Sequence, residues 1–116
     1  MAKTIIVHAP CGSNSVSAED FLEADGSGNV KAYDGTGDVL GIAMTNKDSS
    51  NNVGCIKHGL VRLTSVAASY KFGDKVEWAT GQKVQAFAVG TLVGRAVETK
   101  TTTSTDNQLQ VYVDFA

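Results

Sequence analysis

Residues 39–47 read Val39-Leu40-Gly41-Ile42-Ala43-Met44-Thr45-Asn46-Lys47, and residues 92–100 repeat the pattern as Leu92-Val93-Gly94-Arg95-Ala96-Val97-Glu98-Thr99-Lys100. The two glycines lie 53 positions apart. Two apolar residues, a glycine, a variable residue and an alanine predict a strand whose glycine permits close backbone approach. Each copy continues through a polar stretch into a second apolar segment, at 53–56 or 109–115. The repeat therefore predicts two β-hairpins, and neither carries an obvious reactive group.

Composition restricts the classes of protein that this chain can belong to. Its 116 residues correspond to one domain that can bury a core without disulfide staples. The net charge is −2 and the ten Lys and Arg residues are scattered, so the basic stripe that a nucleic-acid-binding protein needs is not visible. The two cysteines are too few for a disulfide framework. The apolar runs are too short for a signal peptide or a membrane span, so we expect a cytoplasmic, soluble product.

Short apolar segments separated by glycine-rich turns recur along the whole sequence and predict an all-β fold, a small antiparallel β-barrel or sandwich. A capping-box interpretation of residues 17–20 would instead start a short helix at Phe21, and this alternative stays open. Residues 65–70 are predicted as a helical turn or a loop. The expected strands cover residues 4–8, 21–24, 30–33, 53–64, 75–78, 84–89 and 109–115, and each copy of the repeated pattern contributes one more.

The chain is predicted to have two parts. Residues 1–20 comprise an N-terminal strand or arm and a polar connector, Cys11 to Asp20, whose low apolar content favours flexibility. Residues 21–116 form the β-barrel or sandwich domain. The first strand can either belong to the sheet of that domain or extend from it.

The two histidines and two cysteines form the sharpest competing signal. They occur as His8-Ala9-Pro10-Cys11 and Cys55-Ile56-Lys57-His58, in mirror-image spacing. Two Cys and two His make a tetrahedral zinc set, but residues three apart on a strand point to opposite faces. Each pair could chelate only at a bend, so buried thiols with surface histidines are the simpler interpretation. A Cys11 nucleophile activated by His8 or His58 lacks an identifiable orienting residue.

Three further patterns have structural interpretations. Asp25, Ser27 and Asn29 imitate a calcium loop, but Val30 and Thr36 occupy the positions of its glycine and bidentate glutamate, so a turn is predicted. Lys75 follows a Gly-Asp turn like the modified lysine of carrier domains, and we expect it to open a strand instead. Trp78, Phe87, Tyr112 and Phe115 are predicted core residues, and the run of hydroxyl side chains at 101–105 is predicted to be a solvated loop.

The order of these segments resembles the small capsid decoration, or cement, proteins of tailed bacteriophages. The resemblance covers roughly residues 21–116 and is carried by Val39-Leu40-Gly41-Ile42-Ala43, Gly59-Leu60-Val61-Arg62-Leu63, Phe72-Gly73-Asp74-Lys75-Val76, Leu92-Val93-Gly94-Arg95-Ala96 and Val111-Tyr112-Val113.

The resemblance implies a structural virion protein that is made in the host cytoplasm and binds the outside of the expanded capsid. Its partner would be the major capsid protein, and it would form a homo-oligomer, with a trimer favoured over a dimer. It implies no catalytic residue, no cofactor, and no nucleic-acid or membrane partner. The competing hypothesis is a small ligand- or zinc-binding β-barrel module.

The same analogy gives the first strand a role. Lys3, Thr4, Ile5, Ile6 and Val7 would form a capsid-binding arm that adds as a strand to an exposed sheet edge of the capsid protein. The alternative is that these residues pair within the domain's own sheet.

Overall fold

Residues 4–115 are described by a computed structural model, and within them every regular element is a β-strand. The strands are β1 (Ile5–Pro10), β2 (Phe21–Ala24), β3 (Val30–Ala32), β4 (Gly41–Ala43), β5 (Asn52–Thr64), β6 (Ser69–Tyr70), β7 (Lys75–Ala79), β8 (Lys83–Ala86), β9 (Leu92–Ala96), β10 (Lys100–Thr101) and β11 (Gln108–Asp114). Strand β1 pairs antiparallel with β5, β2 with β3 and β4, β4 with β5, β6 with β10, β7 with β8 and β9, and β9 with β11. The predicted all-β fold is confirmed, and the segment at Phe21 is a strand rather than a helix. The described residues contain no helix with the length and apolarity needed to cross a bilayer.

Backbone contacts divide the chain into two compact units. Unit 1 comprises the residues up to His58 together with Phe115, and unit 2 comprises Gly59–Asp114. Strand β5 belongs to unit 1 as far as His58 and to unit 2 beyond it. The sequence-based boundary after residue 20 lies inside unit 1.

The two units have the same strand order. In unit 1 the order is β1-β5-β4-β2-β3, and in unit 2 it is β5-β11-β9-β7-β8. The first strand of unit 1, β1, thus corresponds to the second part of β5, and β4 corresponds to β9. The repeated pattern of residues 39–47 and 92–100 is therefore the most visible part of a repeat that extends through each unit.

Backbone hydrogen bonds outside the strands repeat as well. In unit 1, the Glu19 amide donates to the Ala43 carbonyl over 2.7 Å, and the Ala43 amide donates to the Asp20 carbonyl over 2.8 Å. In unit 2, Gly73 and Asp74 make the same two bonds with Ala96, both of 2.8 Å. The main-chain path before β2 is thus the path before β7. Glu19 has a φ of 75°, and Gly73, its counterpart, has a φ of 94°.

Gly41 and Gly94 occupy equivalent crowded positions. A Cβ on Gly41 would lie 2.7 Å from the Ile56 carbonyl oxygen and would overlap the Cys55 sulfur. A Cβ on Gly94 would overlap the Tyr112 carbonyl oxygen. Each glycine therefore lets its strand approach the next one closely, as the repeated pattern predicts.

The alternating pattern of each strand supplies the core. In β11, Leu109, Val111 and Val113 are buried, whereas Gln110 and Tyr112 between them are only partly covered. Unit 1 has a core cluster made of small and branched residues: Ala9, Cys11, Val16, Leu22, Val30, Ala43, Val53 and Cys55, with Leu40 packed against it.

Candidate functional site

Strand β1 carries most of the predicted arm. It pairs antiparallel with β5, from Ile5 opposite His58 to Pro10 opposite Asn52, so in this structure it belongs to the chain's own sheet. Thr4 precedes the strand and is exposed, and Lys3 lies outside the described residues. Within residues 4–115, β5 is the only strand that pairs with β1.

The apolar side chains at the start of β1 are exposed. Ile5, Ile6 and Val7 are 42%, 54% and 43% exposed. Three consecutive branched apolar residues on a strand with one free edge form a template for pairing with another chain, which isolated proteins normally blunt with charges or proline. We call these three residues and their unpaired backbone edge the β1 edge.

The β1 edge continues a row of buried side chains across unit 1. Phe21 faces Ile42, Ile42 faces Ile56, and Ile56 faces Ile6 on successive strands. The first three are at most 1% exposed, whereas Ile6 at the end of the row is the open one. A continuous row of apolar side chains therefore runs from the interior of unit 1 to the β1 edge.

The candidate zinc residues fall into two environments. Cys11 and Cys55 are both buried in the core cluster of unit 1. His8 is exposed on β1 opposite Gly54, and His58 is half-buried on β5 opposite Ile5. No group of three or more His, Cys, Asp or Glu side chains within residues 4–115 is arranged to hold a metal ion.

Burial raises the pKa of both cysteine thiols. Desolvation is the largest effect at Cys11, where Lys47 partly opposes it, and also at Cys55, where Lys57 does so. Each sulfur faces a backbone carbonyl, Cys11 that of Ala9 and Cys55 that of Ile56. Because the thiolate is the reactive form, this environment is typical of a structural cysteine and not of a nucleophile.

The Asp25 carboxylate in the turn after β2 is occupied by hydrogen bonds from nearby residues of the chain. The Asp25 carboxylate accepts hydrogen bonds from the backbone amides of Ser27, over 2.7 Å, and Asn29, over 3.2 Å, and from the Asn14 side chain over 2.9 Å. The Ser27 bond is the main cause of a lowered Asp25 pKa. The carboxylate thus stabilises the turn, as the sequence indicates.

The connector between β1 and β2 is held at several points. The Asn14 side chain donates to the Val30 carbonyl over 3.0 Å, and the Lys47 ammonium donates to the Asn14 carbonyl over 2.8 Å. Val16 is buried in the core cluster. These contacts join residues far apart in sequence, which is why composition alone does not reveal them.

The prediction that four aromatic side chains lie in the core is only partly right. Phe115 is buried, and Trp78 and Tyr112 are half-buried. Phe87 lies beyond the end of β8 and is 39% exposed, so its expected place in a core strand is wrong.

The loop at 101–105 also differs from prediction, because Thr102 is buried and accepts a 2.9 Å hydrogen bond from the Ser65 hydroxyl. Lys75 opens β7, as expected.

Two buried glutamates were missed from sequence. Glu23 on β2 and Glu77 on β7 are each only 6% exposed. The Glu77 carboxylate accepts hydrogen bonds from the amides of Ala88 and Gly90, both of 2.8 Å, and from the Gln85 side chain over 2.8 Å. A Glu in the same place of each unit, followed by a glycine 13 or 14 residues later, is the signal that could have revealed them.

No known protein-family model matches this chain, and a comparison with curated proteins finds no similar sequence. We therefore infer the function from the surface features of the molecule.

Proposed function

We propose that this protein is a structural virion protein that binds the outside of the expanded capsid of a tailed bacteriophage and stabilises it by bridging capsomers. The β1 edge is the observation that supports the proposal. A strand with a free edge and three exposed apolar side chains fits addition to the sheet of a partner protein, because the partner satisfies the open backbone groups and covers the side chains.

The partner in this proposal is the major capsid protein. Each main-chain hydrogen bond made on strand addition contributes about 0.5–1.5 kcal/mol, and burial of the β1 side chains adds to it. A homotrimer would multiply this contact, since engagement of one subunit raises the effective concentration of the others at the shell. Binding of this kind needs no cofactor and no covalent step.

Lysine substitutions on the β1 edge test the proposal. Ile6→Lys and Val7→Lys place charges at positions where the native side chain is already exposed, so the fold should tolerate them. The added charges should oppose strand addition. Wild type and variants are sedimented with undecorated expanded heads of the phage that encodes the chain. We expect the wild type to co-sediment saturably and both variants to remain in the supernatant.

Val89→Lys is the matched control, because Val89 is 96% exposed and lies in unit 2, away from β1 in sequence. It should bind heads as the wild type does. If the β1 variants bind as well as the control does, the β1 edge is not the capsid-binding surface. If wild type fails to bind, the capsid function itself is contradicted.

A further inference from the structure

A row of four side chains crosses unit 2 from one strand to the next. Lys75 on β7 faces Arg95 on β9, and Arg95 faces Tyr112 on β11. On the other side of Lys75, the Phe87 amide donates to the Lys75 carbonyl, and the Lys75 ammonium lies 5.8 Å from the centre of the Phe87 ring. We call Phe87, Lys75, Arg95 and Tyr112 the cation–aromatic row.

The equivalent row in unit 1 has a different chemistry. Tyr33, Phe21, Ile42 and Ile56 occupy the corresponding positions and are at most 3% exposed. In unit 2, the central apolar pair of Phe21 and Ile42 is replaced by the two cations, both of which are exposed. The two units share one strand order, but the side chains of this row are buried in unit 1, whereas its two central side chains are exposed in unit 2.

The two cations face each other on adjacent strands. Like charges in directly opposite cross-strand positions destabilise a sheet. The ion pair described within residues 4–115, Lys100 with Asp106, involves neither Lys75 nor Arg95, although Asp74 and Asp114 lie nearby. Arg95 donates one hydrogen bond, of 2.9 Å, to the Gly73 carbonyl, which fixes the position of its guanidinium group while the other nitrogens stay available. The row therefore places two like charges side by side at a defined position.

A shallow hollow borders each of the two cations. One has a volume of about 370 Å³ and is lined by Leu92, Val93, Gly94, Arg95, Tyr112 and Asp114. The other has a volume of about 340 Å³ and is lined by Gly73, Asp74, Lys75, Ala86 and Phe87. Asp74 is engaged by the Lys71 backbone amide over 2.9 Å. Each hollow has an aromatic wall, so apolar groups can pack beside the charges.

We propose that the cation–aromatic row is an interaction surface for an acidic, extended segment of a partner protein that carries apolar side chains between its carboxylates. Charge complementarity supplies the argument: two adjacent cations fit two carboxylates, and the aromatic walls fit the intervening side chains. A nucleic acid is disfavoured, because its binding requires a larger basic surface than two adjacent cations. The proposal does not depend on the capsid function, since the row lies in unit 2 and β1 in unit 1.

Binding of a short peptide of alternating Glu and Phe, labelled with fluorescein, tests this surface on the full chain. We expect saturable binding that weakens with salt, with NMR shifts centred on the amides of the row. Lys75→Gln combined with Arg95→Gln removes two exposed ion pairs and should weaken binding by about tenfold. Lys75→Glu combined with Arg95→Glu adds repulsion and should weaken binding further.

Lys83→Glu combined with Arg62→Glu is the matched control, because both side chains are exposed and lie outside the row. It should leave peptide binding unchanged, and circular dichroism should show the same fold for every variant. The proposal is overturned if the control weakens binding as much as the row variant does, if the peptide shifts no amide of the row, or if oligothymidylate binds more tightly than the peptide.

Discussion

Glu23 and Glu77 hold equivalent places in the two units, where each carboxylate accepts a backbone hydrogen bond from the loop after the neighbouring strand. The Asp34 amide donates to Glu23 over 3.0 Å, and the Ala88 amide donates to Glu77 over 2.8 Å. A glycine approaches each carboxylate: a Cβ on Gly37 would lie 2.6 Å from Glu23, and one on Gly90 would lie 2.9 Å from Glu77. The repeat thus includes, besides the strand order, a buried carboxylate that holds a loop through a backbone hydrogen bond.

Replacement of Glu77 by Gln should destabilise the protein by about 1.5–3 kcal/mol, the range for hydrogen bonds to a charged group. One carboxylate oxygen of Glu77, Oε1, accepts both backbone amides, from Ala88 and Gly90, and the other, Oε2, accepts the Gln85 side chain. Gln keeps the shape but removes the charge, and its NH₂ group faces the Gln85 donor. Urea unfolding measures the loss. Glu19→Gln is the control, since the Glu19 side chain is exposed, and equal stability of the two variants would contradict the role of Glu77.

The contribution of Glu77 should depend on pH. Hydrogen bonds from Ala88, Gln85 and Gly90, in that order, lower the pKa of this carboxyl in the folded state below the unfolded value of about 4.3. A lowered folded-state pKa stabilises the fold above the unfolded pKa, and the stabilisation is lost as pH falls through the folded pKa. The unfolding free energies of wild type and Glu77→Gln should therefore approach each other as pH falls below about 4. A constant difference down to pH 2 would contradict this cause.

Alanine at Gly94 should destabilise unit 2 by about 1–3 kcal/mol or more, because its Cβ would overlap the Tyr112 carbonyl oxygen of the neighbouring strand. Gly54→Ala is the matched control on another strand, since the nearest atom to its Cβ would be a Thr45 methyl carbon at 3.7 Å. Thermal unfolding compares the two. A control as damaging as Gly94→Ala would show that close strand approach is not the reason for the glycine.

The thiols of Cys11 and Cys55 should resist modification in the native protein. Both are buried and burial raises the pKa of each, so Ellman's reagent should react only as the protein unfolds and should then titrate both. Added zinc should not change this behaviour. Rapid reaction of either thiol in the native state would place that sulfur at an accessible site and reopen a chemical role for it.

The sequence predicts the parts of the fold that depend on local pattern. Strict alternation identifies β11, and the Gly-Asp turn before Lys75 identifies the start of β7. The repeat is visible around Gly41 and Gly94 because both positions need a residue without a side chain. Elsewhere the two units diverge: Phe21 is buried, whereas its counterpart Lys75 is exposed, so a comparison of residue types conceals their equivalence.

Features that depend on distant contacts were beyond prediction. Glu77 reads as a charged residue of a half-exposed strand until the loop at 87–90 covers it. Thr102 lies in a run of hydroxyl residues, and only the approach of Ser65 shows that it is buried. Phe87 continues an apolar alternation past the end of β8, where the backbone no longer follows the strand. Lys75 and Arg95 are 20 residues apart in sequence, so their pairing follows from strand register alone.

Electron cryomicroscopy of undecorated expanded heads mixed with the purified protein tests whether the protein binds the capsid through β1. We expect additional density at regular positions on the outer surface, with strand β1 beside a sheet edge of the major capsid protein, and loss of this density with Ile6→Lys. Heads that show no added density at saturating protein would contradict the proposed function.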